Sequence, residues 1–172
     1  VRQQLAALGL QKAALGVHFG GEVAGHGEHV TRHGGGVSTG SLKDLRHGLL
    51  GLHKSLIVSE QVTYERIYGR VSSAGQLLQL VMNDPWFAWL HPLSHLVVRI
   101  DVVLEDQDDT TLEAAQDLLS EARTMLRPSE EGDGFERSYY EALQRTPDVV
   151  LAHAGVKKLL GTAATAASAA AA

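Results

Sequence analysis

No cysteine occurs anywhere in the 172 residues. That excludes a disulfide framework, a thiolate nucleophile and cysteine-ligated zinc or iron–sulfur centres, and it is compatible with a cytoplasmic location. Residues 1–20 lack a basic start followed by a sustained apolar run, so no secretory signal is expected. A phosphate-cradling loop is missing too: Gly34-Gly35-Gly36 has neither a strand before it nor Lys-Ser/Thr after it. No serine sits in a nucleophile elbow, and no stretch alternates long enough to be read as a strand. A basic surface is also lacking. Residues 1–51 sum to +2 and residues 52–172 to −7, and an acidic body is unsuited to replacing the counterions of a nucleic acid.

What the chain does have is one apolar stretch around which the rest is organised. Asn83-Asp84-Pro85-Trp86-Phe87-Ala88-Trp89-Leu90 opens it with a helix start, Asp84 as N-cap and Pro85 at the first helical position. Trp86, Leu90, Leu93, Val97, Ile100 and Leu104 then recur at steps of four and three, and Trp89, Leu96 and Val103 widen the seam. A helix apolar on most of its circumference must be covered on several sides, which predicts the centre of a small bundle. Its length approaches a membrane span, but His91, His95, Arg99 and Asp101 lie inside it and would be costly in lipid. Pro92 interrupts the pattern. It deletes the hydrogen bond to the Ala88 carbonyl, and since the four/three spacing keeps its phase, a kink within one helix is expected.

Residues 1–51 differ in texture, holding twelve of the eighteen glycines, five of the nine histidines and a single aromatic, Phe19. Without an apolar period to offset the cost of ordering, they are expected to be a low-complexity, disordered segment outside the folded domain. Within them, Leu42, Leu45, Leu49 and Leu50 have good helical spacing after Ser41 and are the exception to that expectation. Residues 52–161 are expected to form the bundle. Helix starts are marked by Ser73 with Gln76, Thr110 with Glu113, Asp133 with Glu136, and Thr146-Pro147; Gly69 and Gly161 mark stops. Residues 162–172, almost pure alanine, are expected to fray. The predicted fold is all-α, five or six helices around a kinked central helix.

Chemistry is sparse. His91 and His95, spaced i, i+4, face one way on a helix and Arg99 follows on the same stripe, so a ligand or a metal ion could bind there. The zinc-protease pattern needs Glu after the first His, and Pro92 stands in that place. Glu60, Glu65, Asp101 and His153 are further donors without spacing support, and a solvated stripe of His91, Ser94, His95 and Arg99 explains the residues without a metal. His18, His26, His29 and His33 with Glu22 and Glu28 lie in low-complexity sequence. Tyr64, Tyr68, Tyr139 and Tyr140 at helical spacing fit plain packing better than a pocket. The carboxylate pairs Asp108-Asp109 and Glu130-Glu131 sit in polar loops.

From Leu52 to Leu160 the chain resembles a family of small bacterial all-helical proteins, on Asn83 to Leu90, Pro92-Leu93-Ser94 and Pro147-Asp148-Val149-Val150-Leu151-Ala152-His153. The resemblance implies a helical fold and brings no activity, cofactor or catalytic residue with it. The function expected is therefore a non-enzymatic interaction or regulatory module, with no cofactor and no metal. A protein partner or a homo-oligomer is left open, whereas nucleic acid and membrane are not expected. The alternative is a metal- or small-molecule-binding bundle using His91 and His95.

Overall fold

The structure, a computed structural model, describes residues 39–105 and 112–170. The described residues form six α-helices: α1 (Thr39–Tyr68), α2 (Ala74–Asn83), α3 (His91–Glu105), α4 (Leu112–Met125), α5 (Gly134–Arg145) and α6 (Pro147–Ala170). A 3₁₀ segment, Pro85–Leu90, leads into α3, and no strand occurs among the described residues. The all-α bundle expected from periodicity and caps is the fold observed.

The long first helix corrects the expected domain boundary. Residue 51 falls in the middle of α1, and Leu42, Leu45, Leu49, Leu52 and Leu56 are all buried in one core. Their three/four spacing is continuous across that boundary, so a stripe of leucines outweighs the cost of the intervening glycines. Gly48 has a packing role instead: a Cβ there would lie 2.9 Å from Leu159 and 3.2 Å from Val156 of α6. The rest of the expected disordered segment, residues 1–38, lies outside the described residues. Gly69, at φ +91°, ends α1 as anticipated, its N–H bonding the Glu65 carbonyl at 3.1 Å.

Just before Pro92 the central element changes its winding. The chain winds as a 3₁₀ helix from Pro85 to Leu90 and switches to α at His91, which puts Pro92 in the first turn of α3. There a missing N–H costs little, because the first four donors of a helix have no intrahelical partner. The Ala88 carbonyl, which Pro92 cannot serve, accepts the His91 N–H in 3₁₀ fashion instead. The tighter winding also shifts the seam. Phe87, Leu90, Leu93, Leu96, Val97 and Ile100 are fully buried, while Trp86 and Trp89 pack half-buried against the same core. Phe87 thus takes the central place expected of Trp86.

Helices α1, α3, α4 and α6 run alternately up and down. Arg46 pairs with Asp101 and His53 with Ser94 across α1 and α3; Ser59 meets Thr146 across α1 and α6; Arg99 meets Glu121 across α3 and α4. Arg123 of α4 reaches the Leu160 carbonyl of α6 at 2.9 Å. Two of the expected caps are formed by their side chains, and the Thr146 hydroxyl is turned to Ser59 instead. Ser73 accepts the Gln76 N–H at 3.1 Å and Asp84 the Trp86 N–H at 2.9 Å, whereas Asp133 makes no side-chain capping bond. The cap at Thr110 lies outside the described residues. Instead of fraying at 162, α6 continues to Ala170, with Ala163 buried in the core.

Candidate functional site

Beside the Ser59–Thr146 and Glu60–Arg145 links, two histidine–hydroxyl pairs lie in or at the core of the described residues. His53 on α1 is 0% exposed, and its Nε2 lies 2.8 Å from the Ser94 hydroxyl on α3. Ser94 Oγ–H reaches the Leu90 carbonyl at 3.3 Å. The arrangement that wastes no buried donor has Nε2–H donating to Ser94 Oγ, and Ser94 in turn donating to Leu90. Nδ1 is then a bare acceptor, without a protein partner among the described residues. Burial, with a smaller contribution from the nearby His91, lowers the His53 pKa to about 4, so the ring is neutral at pH 7. A serine 2.8 Å from an imidazole has the spacing of a nucleophile and its base. Here both are sealed in the core, the imidazole is a weak base, and no carboxylate orients Nδ1. The pair joins two helices and is buried among the described residues.

The second pair is Tyr139 on α5, fully buried, with its hydroxyl 2.5 Å from His153 Nδ1 on α6. Burial holds the phenol well above its ordinary pKa, and burial followed by the Lys157 charge holds His153 below its own. Tyr139 stacks on Phe135 at 5.3 Å, and Phe135 meets Trp89 at a tilt, 5.7 Å between centroids. At the end of α1, Tyr64 and Tyr68 meet Trp86 edge-on at 6.1 and 5.9 Å. These aromatics are packing elements, as their spacing suggested. Tyr140 is separate and exposed, bonding Glu130 at 3.2 Å.

The residues expected to form a ligand stripe are dispersed. His91 is half-buried, and its Nε2 is occupied by the Val81 carbonyl at 2.9 Å. His95 is exposed, with its ring centroid 6.5 Å from that of His91. Ser94, expected in the same solvated stripe, is buried against His53. Glu60 is bound to Arg145, Asp101 to Arg46, Glu65 to Gln61 and the Val71 N–H, and His153 to Tyr139. No three His, Asp or Glu residues are placed to hold a metal ion among the described residues. The remaining donors suggested by the sequence, in residues 1–38 and at Asp108-Asp109, lie outside the described residues.

Arg99 alone of the three stripe residues opens onto a cleft. Along α4 runs a groove in two parts that share Asp117, one walled by α3 and the other by Pro92 of α3 with Phe135 and Glu136 of α5. One, about 580 Å³, is lined by apolar Val98, Val102, Val103, Ala114 and Leu118 with Arg99. The other, about 550 Å³, has Pro92, Met125 and Phe135 as its apolar floor and Ser120, Thr124, Asp117, Glu121 and Glu136 at its edge. Where the two meet, Arg99 Nη1 binds both carboxylate oxygens of Glu121, at 2.6 and 2.5 Å, a bar across the groove. Its partners are 55% and 36% exposed, so the pair contributes roughly 0–1 kcal/mol and is readily exchanged.

The charge around this groove is lopsided. Residues 99–136 carry twelve of the twenty acidic side chains against three basic ones, Arg99, Arg123 and Arg127. Arg123 is turned to α6 and Arg99 is spent on Glu121. Sequence reasoning missed the groove because Asp117 and Glu121 look like the ordinary polar face of an amphipathic helix. It missed His53 because the residue adjoins the supposed boundary at 51; its place between Leu49 and Leu56 on the leucine face was the available signal. Comparisons with protein-family models, curated proteins and solved structures found no match.

Proposed function

We propose that this chain is a non-enzymatic, cytoplasmic interaction module that docks a protein partner in the groove along α4. The observation that carries this reading is the groove itself, which combines an exposed apolar floor with an acidic edge. Val102 there is 51% exposed, although large apolar side chains on the same helix are buried elsewhere. The interior polar groups support the same view, since His53, Ser94, Tyr139 and His153 are committed to one another and leave no open reactive pair. The helix Pro85–Glu105 is long and apolar enough to cross a membrane by length and composition. Its buried face against α1 and its ion pairs at Arg99 and Asp101 favour a bundle helix over a span.

Site-specific photo-crosslinking in the source cells tests this. A photoreactive residue at Ser120, in the groove, is expected to give one discrete adduct that disappears when Asp117 and Glu136 are both changed to Lys. The same residue at Lys54, exposed on α1, is expected to give none. Identical adducts from both positions, or none from Ser120, would reject the groove as the docking surface.

A further inference from the structure

We infer, resting on that docking role, that the groove is shaped for a basic amphipathic helical segment and that Arg99 holds its central cation position until the segment arrives. The groove extends from Val102 and Ala114 at one end to Pro92 and Thr124 at the other. Ten residues of α3 separate Val102 from Pro92, about 15 Å of helix, so an incoming helix lies along it for two to three turns. Two apolar patches separated by a polar bar match a helix that presents apolar anchors at i, i+3 or i+4 and i+7.

Charge fixes the sign of the partner. Among the described residues Asp117 and Glu136 form no ion pair, and they stand at the edge of an apolar floor. Of the three basic side chains in the stretch 99–136, two are already engaged. A segment with lysine or arginine beside its apolar stripe would be attracted along the whole groove; an acidic one would be repelled. Arg99 already shows the contact such a cation would make, with its guanidinium on both oxygens of Glu121. The incoming cation therefore competes with an internal one. Because that internal pair is solvent-exposed, it tunes affinity and does not block entry.

The test uses the full chain and three synthetic helical peptides of equal length. One carries leucines at i, i+3, i+7 and i+10 among lysines, one has the same leucines among glutamates, and one shuffles the first. In fluorescence titrations near physiological salt, the patterned lysine peptide is expected to bind at least tenfold more tightly than the shuffled one. Its affinity should fall as salt rises. The glutamate peptide is expected not to bind. Arg99→Ala should tighten binding roughly two- to fivefold, Asp117→Asn should weaken it by a similar factor, and Val102→Ser should weaken it further. Circular dichroism confirms that each variant is folded.

Equal binding of the lysine and glutamate peptides would overturn the charge assignment. Equal binding of the patterned and shuffled peptides would reduce it to non-specific attraction, and weakening by Arg99→Ala would make Arg99 part of the receptor surface. If the lysine peptide fails to bind, the inference falls. A discrete Ser120 adduct in cells would then still uphold the docking role, with a partner of other chemistry. Dimerisation of the chain that competes with the peptide would instead assign the groove to a second copy.

Discussion

His53 is the residue whose chemistry has the most to say about conditions. In the unfolded chain its imidazole titrates near 6.5; in the folded core its pKa is about 4. Below 6.5 the unfolded state takes up the proton first, so stability is full above about pH 7 and falls as pH drops toward 4. Past that point the contribution is constant. The gap corresponds to a loss on the order of 3 kcal/mol, a large part of a typical 5–15. Denaturant melts at pH 7.5, 5.5 and 4.5 should show this slope, and it should flatten in His53→Gln, which keeps a hydrogen-bonding side chain that cannot charge. Equal slopes in the two proteins would place the proton uptake on other groups. This residue-scale behaviour was not legible beforehand. A lone histidine acquires its character from which helix covers it.

Among the elements, the segment Pro85–Glu105 was the most legible. Leu90, Leu93, Val97 and Ile100, chosen on spacing alone, are all buried. Leu93→Ala is expected to cost about 2–5 kcal/mol, measured as a shift in the denaturation midpoint, and a shift below about 0.5 kcal/mol would put Leu93 at the surface. The phase of the tryptophans was less legible, because a 3₁₀ turn advances about 120° per residue where an α-helix advances 100°. Over Pro85–Leu90 that difference accumulates to more than a residue's share of the circumference, enough to bring Phe87 inward. The first helix was misjudged for a compositional reason. Glycines 40, 48 and 51 lower helix propensity, but propensity is a weak term beside five buried leucines, and Gly48 is the residue that lets α6 come close. The alanine run after Gly161 was misjudged similarly: helix propensity continued α6 where no strong apolar face was visible.

At the scale of the whole molecule, the leucines of α1 make its first turns indispensable. A chain beginning at Leu52 would lack Leu42, Leu45 and Leu49 and the Arg46 partner of Asp101. At roughly 2–5 kcal/mol for each leucine, the loss is comparable to the whole stability of a typical domain, about 5–15 kcal/mol. Such a chain should aggregate or melt without a cooperative transition in circular dichroism; a cooperative melt near the parent midpoint would contradict the packing of α1 described above. The fold class was legible because caps and periodicity agree along most of the chain. The groove was not, because it exists only once α3 and α5 flank α4. The two polar links between α1 and α3 have one more consequence. Arg46 and His53 are seven residues apart, as are their partners Asp101 and Ser94. The leucines of α1 follow the same heptad, so a sliding of α3 by two turns would find nearly the same apolar surface. In one direction that slip sets Arg46 beside Ser94 and His53 beside Phe87, and strands Asp101 without a partner. The polar links therefore act as alignment marks: they contribute little net strength, and they leave a repetitive leucine seam with a single register.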